Sequence, residues 1–425
     1  MSVIKEINEQ CDVLVIGGGT AGVIAAIQAA REGVQTILVE INTQLGGTMT
    51  TAGVAAPAYF FVGNRQIVAG IGWELVRSCL DLTNGTLPDF NDHSNNRPSR
   101  HVLINPYAYV LLAEEKCLEA GVQIRYQEII YSITKDQDRW IVRCKGVMTS
   151  RTITAKEIID CSGDALGVKL AGGQCVQDNP RQPGTLSFKL SGYDLNAIDF
   201  PALDAAYQKA LSAGKVQPGD YCYPDQSLRV FLQNNGGNLQ HILNADSSDS
   251  DLLTAANIAA RTSLLRMLRF LKAQPGLENI TIEFMRTIIG IRDTWRIVGE
   301  TAITEDDYRS GRLFKDAVAW TYYFIDIHQS SGVHREYLAP GVFPTIPLGA
   351  LIPKGLSRLL TAGRTIASDR ISFSALRVEA SCMAMGQAAG GAAALGIQMN
   401  IPSRDVPISS LRALLKKHKA LVPGE

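Results

Sequence analysis

The amino-acid sequence predicts an α/β fold in which a discontinuous Rossmann-like domain holds an inserted α+β domain. The start of the chain carries the clearest signal: an apolar run at residues 13–16, a glycine turn, an alanine-rich stretch to Ala30 and a second apolar run at residues 36–39. This order is typical of a β-α-β unit. Similar features occur near the other end, where a short apolar strand precedes Gly363 and an alanine- and glycine-rich helical segment follows at residues 380–395.

The elements between these ends follow from local patterns. Gly33 lies where a glycine commonly ends a helix, before the second strand. Alternating apolar and polar residues at 122–134, 140–147 and 152–159 predict a small antiparallel sheet attached to the nucleotide domain. A long helical pattern at residues 252–272 indicates a change of architecture in the middle of the chain.

These elements predict the domain organisation. Residues 1–175 and 341–425 form the discontinuous nucleotide-binding domain, and residues 176–340 form an inserted substrate or cap domain. Polar stretches at residues 91–100 and 234–251 are predicted loops.

The charge balance limits the classes of partner. Lys plus Arg and Asp plus Glu each number 41, so no net electrostatic field attracts nucleic acid or an anionic membrane surface. No apolar run has the length of a membrane span, and the polar first ten residues lack a secretory-signal pattern. We therefore expect a cytoplasmic protein without nucleic-acid or membrane partners.

The eight cysteines contain no C-x-x-C pair, which argues against an iron–sulfur cluster, a structural zinc or a redox dithiol. We expect no metal site. We expect most of these cysteines to be small buried residues. The role of Cys382 stays open, because this residue lies in the alanine- and glycine-rich segment at residues 380–395.

The glycine turn has the spacing of a dinucleotide site. Gly17, Gly19 and Gly22 form G-x-G-x-x-G directly after a strand and at the start of a helix. The first glycine permits the turn, the second lets the backbone approach a pyrophosphate, and the third lets the helix pack closely. Glu40 closes the second strand, near the spacing at which an acid binds the ribose hydroxyls. This combination predicts FAD or NAD, the alternative being a purely structural turn.

Several segments favour FAD because of a resemblance. The first β-α-β unit continues into Gln44-Leu45-Gly46-Gly47-Thr48, and further segments occur at 159–164, 360–364 and 383–390. Together they resemble FAD-dependent oxidoreductases of the glutathione-reductase-like fold, specifically the bacterial FAD-dependent oxidoreductase family related to fumarate reductase flavoproteins. Residues 291–300 and 324–328 are also similar to this family. The sequence Cys161-Ser162-Gly163 departs from the Ala-Thr-Gly type common in relatives, although both versions supply small residues.

The resemblance implies an FAD-binding residue set that spans both ends of the chain. Glu40 would hold the adenosine ribose, backbone near Ile130 would meet the adenine, and Gly386 would approach the pyrimidine side of the flavin. The full set is Gly17, Gly19, Thr20, Ala21, Gly22, Glu40, Gly46, Gly47, Thr48, Ile130, Ser162, Gly163, Asp164, Gly363, Arg364, Gly386, Gln387 and Ala388.

Gly386 and Gly390 leave two interpretations open. They could expose the backbone of a helix to the flavin, or they could allow tight packing against a neighbouring element. A second nucleotide domain is not predicted, because Gly70-Ile71-Gly72 lacks both a third glycine and a preceding strand. The electron donor or acceptor therefore stays unknown.

His328 and Asp326, which the family resemblance singles out, are the first candidates for catalysis. They lie two residues apart, so an extended strand places both side chains on one face, where the carboxylate could support an imidazolium. This pair is a candidate acid/base couple for flavin chemistry. The alternative is a salt-bridged pair at a domain junction.

Arg292 and Arg296 are the second candidates. On a helix or on a strand, residues four apart share a face, so both could bind a carboxylate or another anion. The alternative is an ion-pair network with Asp293 and Glu300. Weaker candidates are His334, Arg335 and Arg377.

The resemblance implies an FAD-dependent oxidoreductase that transfers a hydride between bound flavin and a small organic substrate. Two alternatives from other classes are a flavin-dependent RNA-modifying enzyme and a non-catalytic flavin-binding sensor. The sequence does not distinguish the substrate or the direction of the reaction.

Overall fold

The computed structural model describes residues 4–90, 101–330 and 332–424, so the loop predicted at residues 91–100 lies outside the described residues. In chain order, strands β1 to β18 span Lys5–Ile16, Thr36–Glu40, Phe61–Val62, Arg65–Gln66, Gln123–Tyr126, Ile129–Asp136, Arg139–Gly146, Thr149–Asp160, Cys175–Val176, Phe188–Ser191, Gly236–Gly237, Thr281–Met285, Arg296–Ile297, Ala317–Trp320, Ile325–Gln329, Gly332–Glu336, Thr345–Pro347 and Leu359–Thr361. The α-helices α1 to α11 span Thr20–Arg31, Ile71–Leu82, Pro106–Glu119, Leu166–Leu170, Phe200–Ser212, Leu228–Gln233, Ser250–Lys272, Glu305–Ser310, Arg370–Leu376, Glu379–Met399 and Ile408–Lys417.

The main sheet has seven strands in the order β5-β2-β1-β8-β7-β6, with β18 also paired to β8. Strands β5, β2, β1, β8 and β18 pair in parallel, which confirms the predicted Rossmann-like α/β fold. The apolar run of β1 pairs with β2 through Val13–Thr36 to Ile16–Val39, and every residue of β2 is buried. A continuous apolar strand of this kind is expected where both faces of a parallel sheet are covered.

The prediction of a small antiparallel sheet attached to the nucleotide domain is wrong in one respect, because the strands of that sheet are part of the main sheet. The stretch 122–134 divides into β5, which pairs in parallel with β2, and β6, which pairs antiparallel with β7. Gln127 separates them with a left-handed backbone (φ 56°), and its N–H bonds to the Asn42 carbonyl. Strand β8 joins the two parts, since its first half pairs with β7 and its end pairs with β18.

Helix α1 follows the first strand as predicted and ends before Gly33, whose φ is 82°. All but its last residue are buried, because α10 packs along it. Helix α10 covers and extends the predicted segment 380–395, and a separate short helix, α9, precedes it. The chain ends thus meet in one layer beside the sheet.

Two hydrophobic cores occur in the described residues. The larger contains the main sheet, α1 and α10, together with residues from Ile297 to Leu338. The smaller runs from Leu186 to Ile291 and contains β10, α5, α6 and α7. The domain boundaries at 176 and 340 stay a prediction, but this packing favours a shorter insertion, because the chain from Ile297 onward packs against the first core.

Within the described residues, no helix combines the length and the apolar character that crossing a bilayer requires.

Candidate active site

The turn between β1 and α1 is built as the glycine spacing requires. Gly17 has φ 92°, and a Cβ there would lie 2.7 Å from the Cys161 carbonyl oxygen, which follows β8. A Cβ on Gly22 would overlap the Gly17 carbonyl oxygen, so the third glycine lets the helix approach the turn itself. Gly19 differs, because the nearest atom to an added Cβ is the Cα of Gly47, at 4.0 Å. The backbone at Gly19 therefore borders open space at the start of α1.

The segment after β2 closes over this turn. Gly46 donates its N–H to the Gly18 carbonyl at 2.8 Å, and Gly46 and Gly47 both have left-handed backbones (φ 101° and 52°). Thr48 lies in the short 3-10 helix Gly47–Met49 that follows. The Oγ1 of Thr20 contacts the Gly46 carbonyl at 3.4 Å. The two glycine turns therefore form neighbouring walls at the N-terminus of α1.

Glu40 lies where a ribose acid is expected. It is buried, and its Oε2 accepts a 2.6 Å hydrogen bond from the Gly18 N–H. Its Oε1 accepts from both the backbone and the side chain of Asn42. The start of β6 is adjacent, since the Glu128 N–H reaches the Glu40 carbonyl at 3.4 Å, and Ile130 is buried two residues further. The carboxylate is therefore oriented by the glycine turn before any ligand binds.

A third wall comes from the ends of β8 and β18, which are adjacent in the sheet. Gly163 and Gly363 have left-handed backbones (φ 83° and 93°). A Cβ on Gly163 would overlap the Arg364 guanidinium, whose Nη1 donates to the Ile291 carbonyl. Ser162 bonds through Oγ to the Leu166 N–H at 3.0 Å. Strand order thus brings both glycine segments together, although they lie about 200 residues apart.

Asp164 lies at the same wall and connects it to the smaller core. Its Oδ1 accepts a hydrogen bond from the Ser247 hydroxyl at 2.7 Å. Ala21, in the first turn of α1, lies beneath Gly363, with its Cβ 3.3 Å from the position of an added Cβ. The predicted residues of the first turn and of the third wall are therefore in direct contact.

Gly386, Gln387 and Ala388 have packing partners inside the protein. A Cβ on Gly386 would overlap the Ala21 carbonyl oxygen, and Ala388 is fully buried. Gln387 accepts from the Ile71 N–H at 3.1 Å and donates to the Gln28 side chain at 3.1 Å. These contacts support close helix packing, which is one of the two interpretations of Gly386. Flavin contact by these three residues stays a prediction.

The packing role of Gly386 leads to a stability prediction. Gly386→Ala is expected to lower the free energy of unfolding by about 2–3 kcal/mol, because the added methyl group overpacks the contact between α10 and α1. In Gly391→Ala, the added group would meet the Leu414 side chain at 3.0 Å. That flexible neighbour can move, and alanine improves helix propensity by up to about 1 kcal/mol. Denaturant unfolding of both variants checks this, and equal midpoints would contradict it.

The first turn of α10 presents an unusual carboxyl group. Val378 precedes the helix and Glu379 begins it, and Glu379 is buried. Burial raises the pKa of Glu379 to about 7, although its own backbone N–H and the charges of Arg377 and Arg364 oppose the shift. This end of α10 therefore carries a carboxyl group that can hold or release a proton near neutral pH.

Asp326 and His328 share one face of β15, as predicted. The Nε2 of His328 lies 3.0 Å from the Oδ2 of Asp326. On the opposite side of the ring, Nδ1 of His328 lies 2.7 Å from Nε2 of His241, whose Nδ1 lies 3.2 Å from the Gln329 carbonyl oxygen. The structure thus extends the predicted pair to a chain of four groups.

The surroundings of the two histidines disfavour their protonated forms in the ligand-free protein. Burial lowers the pKa of His328 to about 3, and the charge of Arg292 adds to the shift; the hydrogen bond to Asp326 opposes it but does not outweigh it. Burial and Arg292 likewise lower the pKa of His241 to about 4. Both rings are therefore neutral at pH 7.

The side chains of Arg292 and Arg296 do not share a face as predicted, because the chain between them is neither a regular helix nor a single strand. Arg292 is buried, and its Nη1 donates to the Pro183 carbonyl and the Thr185 hydroxyl, each at 2.7 Å. Arg296 instead contacts Asp178 at 2.7 Å and the Ser368 carbonyl at 3.0 Å.

The ion-pair alternative for Arg296 is correct in part. Its Nη1 lies 3.7 Å from Asp293, while Glu300 pairs with Arg404. Ion pairs therefore explain the position of the Arg296 side chain. Within the described part of the chain it does not contact His328 or Asp326, and its catalytic role stays a prediction.

Arg377 and Arg335 adjoin the histidines. Arg377 follows the last residue of α9 and lies two residues before the start of α10, and its Nη2 lies 3.3 Å from the Oδ2 of Asp326. Arg335, on β16, lies 3.8 Å from the Oδ1 of Asp326 and donates to the Tyr223 hydroxyl at 2.7 Å. We call the following six residues the histidine–arginine cluster: His241, Arg292, Asp326, His328, Arg335 and Arg377.

Comparison with known proteins identifies the family. A family model described as FAD dependent oxidoreductase matches residues 12–415. The chain belongs to the FAD dependent oxidoreductase family. It is therefore an enzyme, and FAD is its cofactor.

Individual relatives of this FAD-dependent oxidoreductase are distant. Digeranylgeranylglycerophospholipid reductase 2 of Methanosphaera stadtmanae is 23% identical over 217 residues, which are 50% of this chain and 53% of that protein. A mitochondrial dihydrolipoyl dehydrogenase of Caenorhabditis elegans is 49% identical over 46 residues, which are 11% of this chain and 9% of that protein. The chain thus spans about half the length of the first and about a tenth of the second. The solved structure of a geranylgeranyl bacteriochlorophyll reductase-like protein from Thermoplasma acidophilum matches with a TM-score of 0.44 and 13% identity, over 97% of this chain and 83% of that chain.

The residues around the start of α1 fit FAD. The open side of Gly19 and the glycine turns at Gly46 and Gly363 form a cradle in which backbone approaches closely from three directions. The helix presents free N–H groups there, because Gly19 has no side chain to cap them. A diphosphate suits this combination of small residues and helix N-terminus, and Glu40 lies beside it for a ribose.

Two residues beside His328 were missed by the sequence analysis. His241 contacts its ring, and Gln182 accepts the His328 N–H at 3.1 Å. His241 lies 87 positions from His328 in a segment predicted only as a polar loop, and Gln182 lies 146 positions away. No motif marks either residue, so only tertiary contacts reveal them.

Proposed function

We propose that this FAD-dependent oxidoreductase transfers a hydride between its flavin and a small organic anion, and that the histidine–arginine cluster binds this substrate. Arg377 contacts Asp326 and thereby joins the cluster to the start of α10, which supports this proposal most directly. The resemblance implies that this helix adjoins the flavin. The cluster therefore occupies a position from which it can hold a substrate against the cofactor.

The charge balance of the cluster supports an anionic substrate. The guanidinium groups of Arg292 and Arg377 are largely buried near the single carboxylate of Asp326, and the neutral histidines contribute no charge. The half-exposed Arg335 adds a third positive charge at the edge of the cluster. Burial lowers the pKa of Arg292 to about 10, with a further contribution from Arg377, so this guanidinium stays protonated at pH 7. A buried excess of positive charge is costly unless an anion compensates it. A carboxylate on the substrate would supply that charge and would accept paired N–H groups.

Arg292 also has donors to spare. Its Nη1 makes both of its hydrogen bonds, and for Nε and Nη2 the described residues supply no acceptor. Three N–H groups of a rigid, planar guanidinium are therefore available to a ligand. We propose Arg292 as the main anion-binding residue, with Arg377 beside it.

Asp326 and His328 would handle the proton that accompanies hydride transfer. FAD, when bound, supplies or accepts the hydride. Asp326 holds His328 through the 3.0 Å contact at Nε2, and His241 contacts Nδ1. The pair can accept a proton during substrate oxidation or return it during reduction. Before a substrate binds, both rings are neutral at pH 7. A pair that is still neutral can act as the base, and a pair that has taken up a proton can act as the acid.

The state of the cysteines bears on the cytoplasmic location that the sequence predicts. All eight cysteines are unpaired, and seven of them are buried. Free thiols in this number are typical of proteins kept in a reducing compartment. We propose that the enzyme acts in the cytoplasm. The predicted lack of nucleic-acid partners, which disfavours the RNA-modifying alternative, stays a prediction.

An anaerobic screen tests the proposed reaction. The FAD-loaded protein is mixed with small carboxylic acids and with their uncharged amides or alcohols, and flavin absorbance is followed. Bleaching by at least one carboxylic acid, but not by its amide, is expected for the oxidation direction. Reoxidation of photoreduced flavin by an unsaturated or keto acid is expected for the reverse direction. Response to neutral compounds alone would contradict the anionic substrate class.

A further inference from the structure

We infer that the histidine–arginine cluster binds an anion and a proton together, with the proton taken up by the contacting pair His241 and His328. This inference rests on the proposed anion-binding role of the cluster and specifies how that site responds to its ligand. It assigns a function to His241, a residue that neither sequence motif nor family resemblance selects.

Three contacts in a row need three protons. The chain runs from Asp326 to His328 at 3.0 Å, to His241 at 2.7 Å, and to the Gln329 carbonyl at 3.2 Å. Both ends can only accept hydrogen bonds, because one is a carbonyl oxygen and the other is an ionised carboxylate. Burial opposes ionisation of Asp326, but the His328 hydrogen bond and the charges of Arg377 and Arg292 prevail and lower its pKa to about 2.

Two neutral imidazoles supply one proton too few. Each neutral ring carries a single N–H, so the three contacts share two protons. Whichever tautomers form, one contact brings two lone pairs together. A third proton would complete the chain without any movement of the rings. The three contacts can therefore accommodate one more proton than the two neutral rings carry.

Burial and nearby positive charge explain why the ligand-free pair does not carry this third proton. The titratable and charged groups around the pair come from β15, β16, the end of α9 and three connecting segments. These groups are His101, Cys222, Tyr223, Arg292, Asp326, Arg335 and Arg377. Arg292 contributes to the low pKa of both rings, and Arg377 contributes to that of His328. Tyr323 also adjoins Asp326 and Arg377. Of the groups that act on the two rings, only Asp326 is an anion at neutral pH, while Glu379, with a pKa of about 7, acts on Arg377.

An anion on Arg292 and Arg377 would remove this opposition. Its charge compensates the two guanidinium groups that disfavour protonation, so the pKa of the pair rises when the anion binds. By linkage, the anion must then bind more tightly as the pH falls. The effect covers the pH range between the pKa of the pair without the anion and the pKa with it. Within that range, affinity changes by up to about tenfold per pH unit.

Calorimetry on the FAD-loaded, oxidised protein tests the coupling. Acetate and benzoate serve as probes, with acetamide and benzamide as uncharged controls of matched shape. At about pH 6, titration in two buffers of different ionisation enthalpy is expected to show uptake of close to one proton per bound carboxylate. Affinity is expected to be at least about tenfold higher at pH 6 than at pH 8. The amides are expected not to bind.

Two variants separate coupling from general charge effects. In His241→Gln, the amide N–H can donate to Nδ1 of His328, so His328 keeps its proton on Nε2 and the chain needs no third proton. Carboxylate binding should then lose its proton uptake. His334→Gln is the matched control, because His334 is an exposed residue on the neighbouring strand β16, and it should keep the uptake.

Several outcomes would overturn the inference. Enthalpies that do not depend on the buffer in the native protein would refute proton uptake, whatever the variants do. Equal uptake in His241→Gln would assign the proton to another group. Failure of both carboxylates to bind would refute the anion site. None of these measurements requires turnover, so a negative substrate screen with positive coupling would remove only the proposed reaction.

Discussion

Gly19→Ala is expected to leave the fold intact and to yield a protein that no longer retains FAD. The added Cβ would meet no protein atom closer than 4.0 Å, and Gly19 has φ −70°, which alanine adopts without strain. The methyl group would instead occupy the space through which the diphosphate reaches the start of α1. We expect affinity for FAD to fall by about a hundredfold or more, equivalent to roughly 3 kcal/mol.

The measurement is flavin absorbance after purification, followed by titration of the apoprotein with FAD. Gly33→Ala is the control, because an added Cβ there meets nothing within 4 Å and the residue lies at the far end of α1. Its φ of 82° costs that variant about 1 kcal/mol of stability, so it bounds the effect of backbone strain. FAD affinity of Gly19→Ala equal to that of the native protein would show that the cofactor does not approach this turn.

His328→Ala and Arg292→Ala are expected to retain FAD but to lose flavin reduction by substrate. Loss of His328 removes the group that receives the proton, which typically costs a factor of about 100 to 10,000 in rate. Loss of Arg292 removes the donors that hold the anion, so the substrate concentration needed for half-maximal reduction should rise strongly. His328→Ala should therefore act on kcat, and Arg292→Ala mainly on KM.

Anaerobic stopped-flow reduction with the substrate found in the screen measures both effects. His334→Ala serves as control, because it removes an exposed imidazole close by in sequence without touching the cluster. Unchanged reduction rates in both His328→Ala and Arg292→Ala would refute the assignment of the site to this cluster.

The cofactor site was predictable to the extent that it is local in sequence. The strand, glycine turn, helix and Glu40 lie within the first β-α-β unit, where the spacing of residues translates directly into backbone geometry. The resemblance extended the site to residues 162–164 and 363–364, and the structure brings these two segments together because β8 and β18 are paired. Their contact with FAD stays a prediction.

Residues farther along the chain were harder to assign. Gly386 could be read as a cofactor contact or a packing residue, because both interpretations need a missing side chain. Its position above the Ala21 carbonyl supports the packing role, while flavin contact stays a prediction. Similarly, Arg292 and Arg296 looked equivalent in sequence, but an irregular backbone between them directs one to Thr185 and the other to Asp178.

The sequence by itself determined the parallel α/β sheet, the dinucleotide turn and the shared face of Asp326 and His328. Each depends on residues whose separation is short enough for strand or helix periodicity to set their geometry. Tertiary structure alone decided the environment of that pair. The neutral histidines, the surplus of arginine charge and the contact with His241 arise where segments distant in sequence meet, and burial there changes proton affinity in ways that no local pattern records.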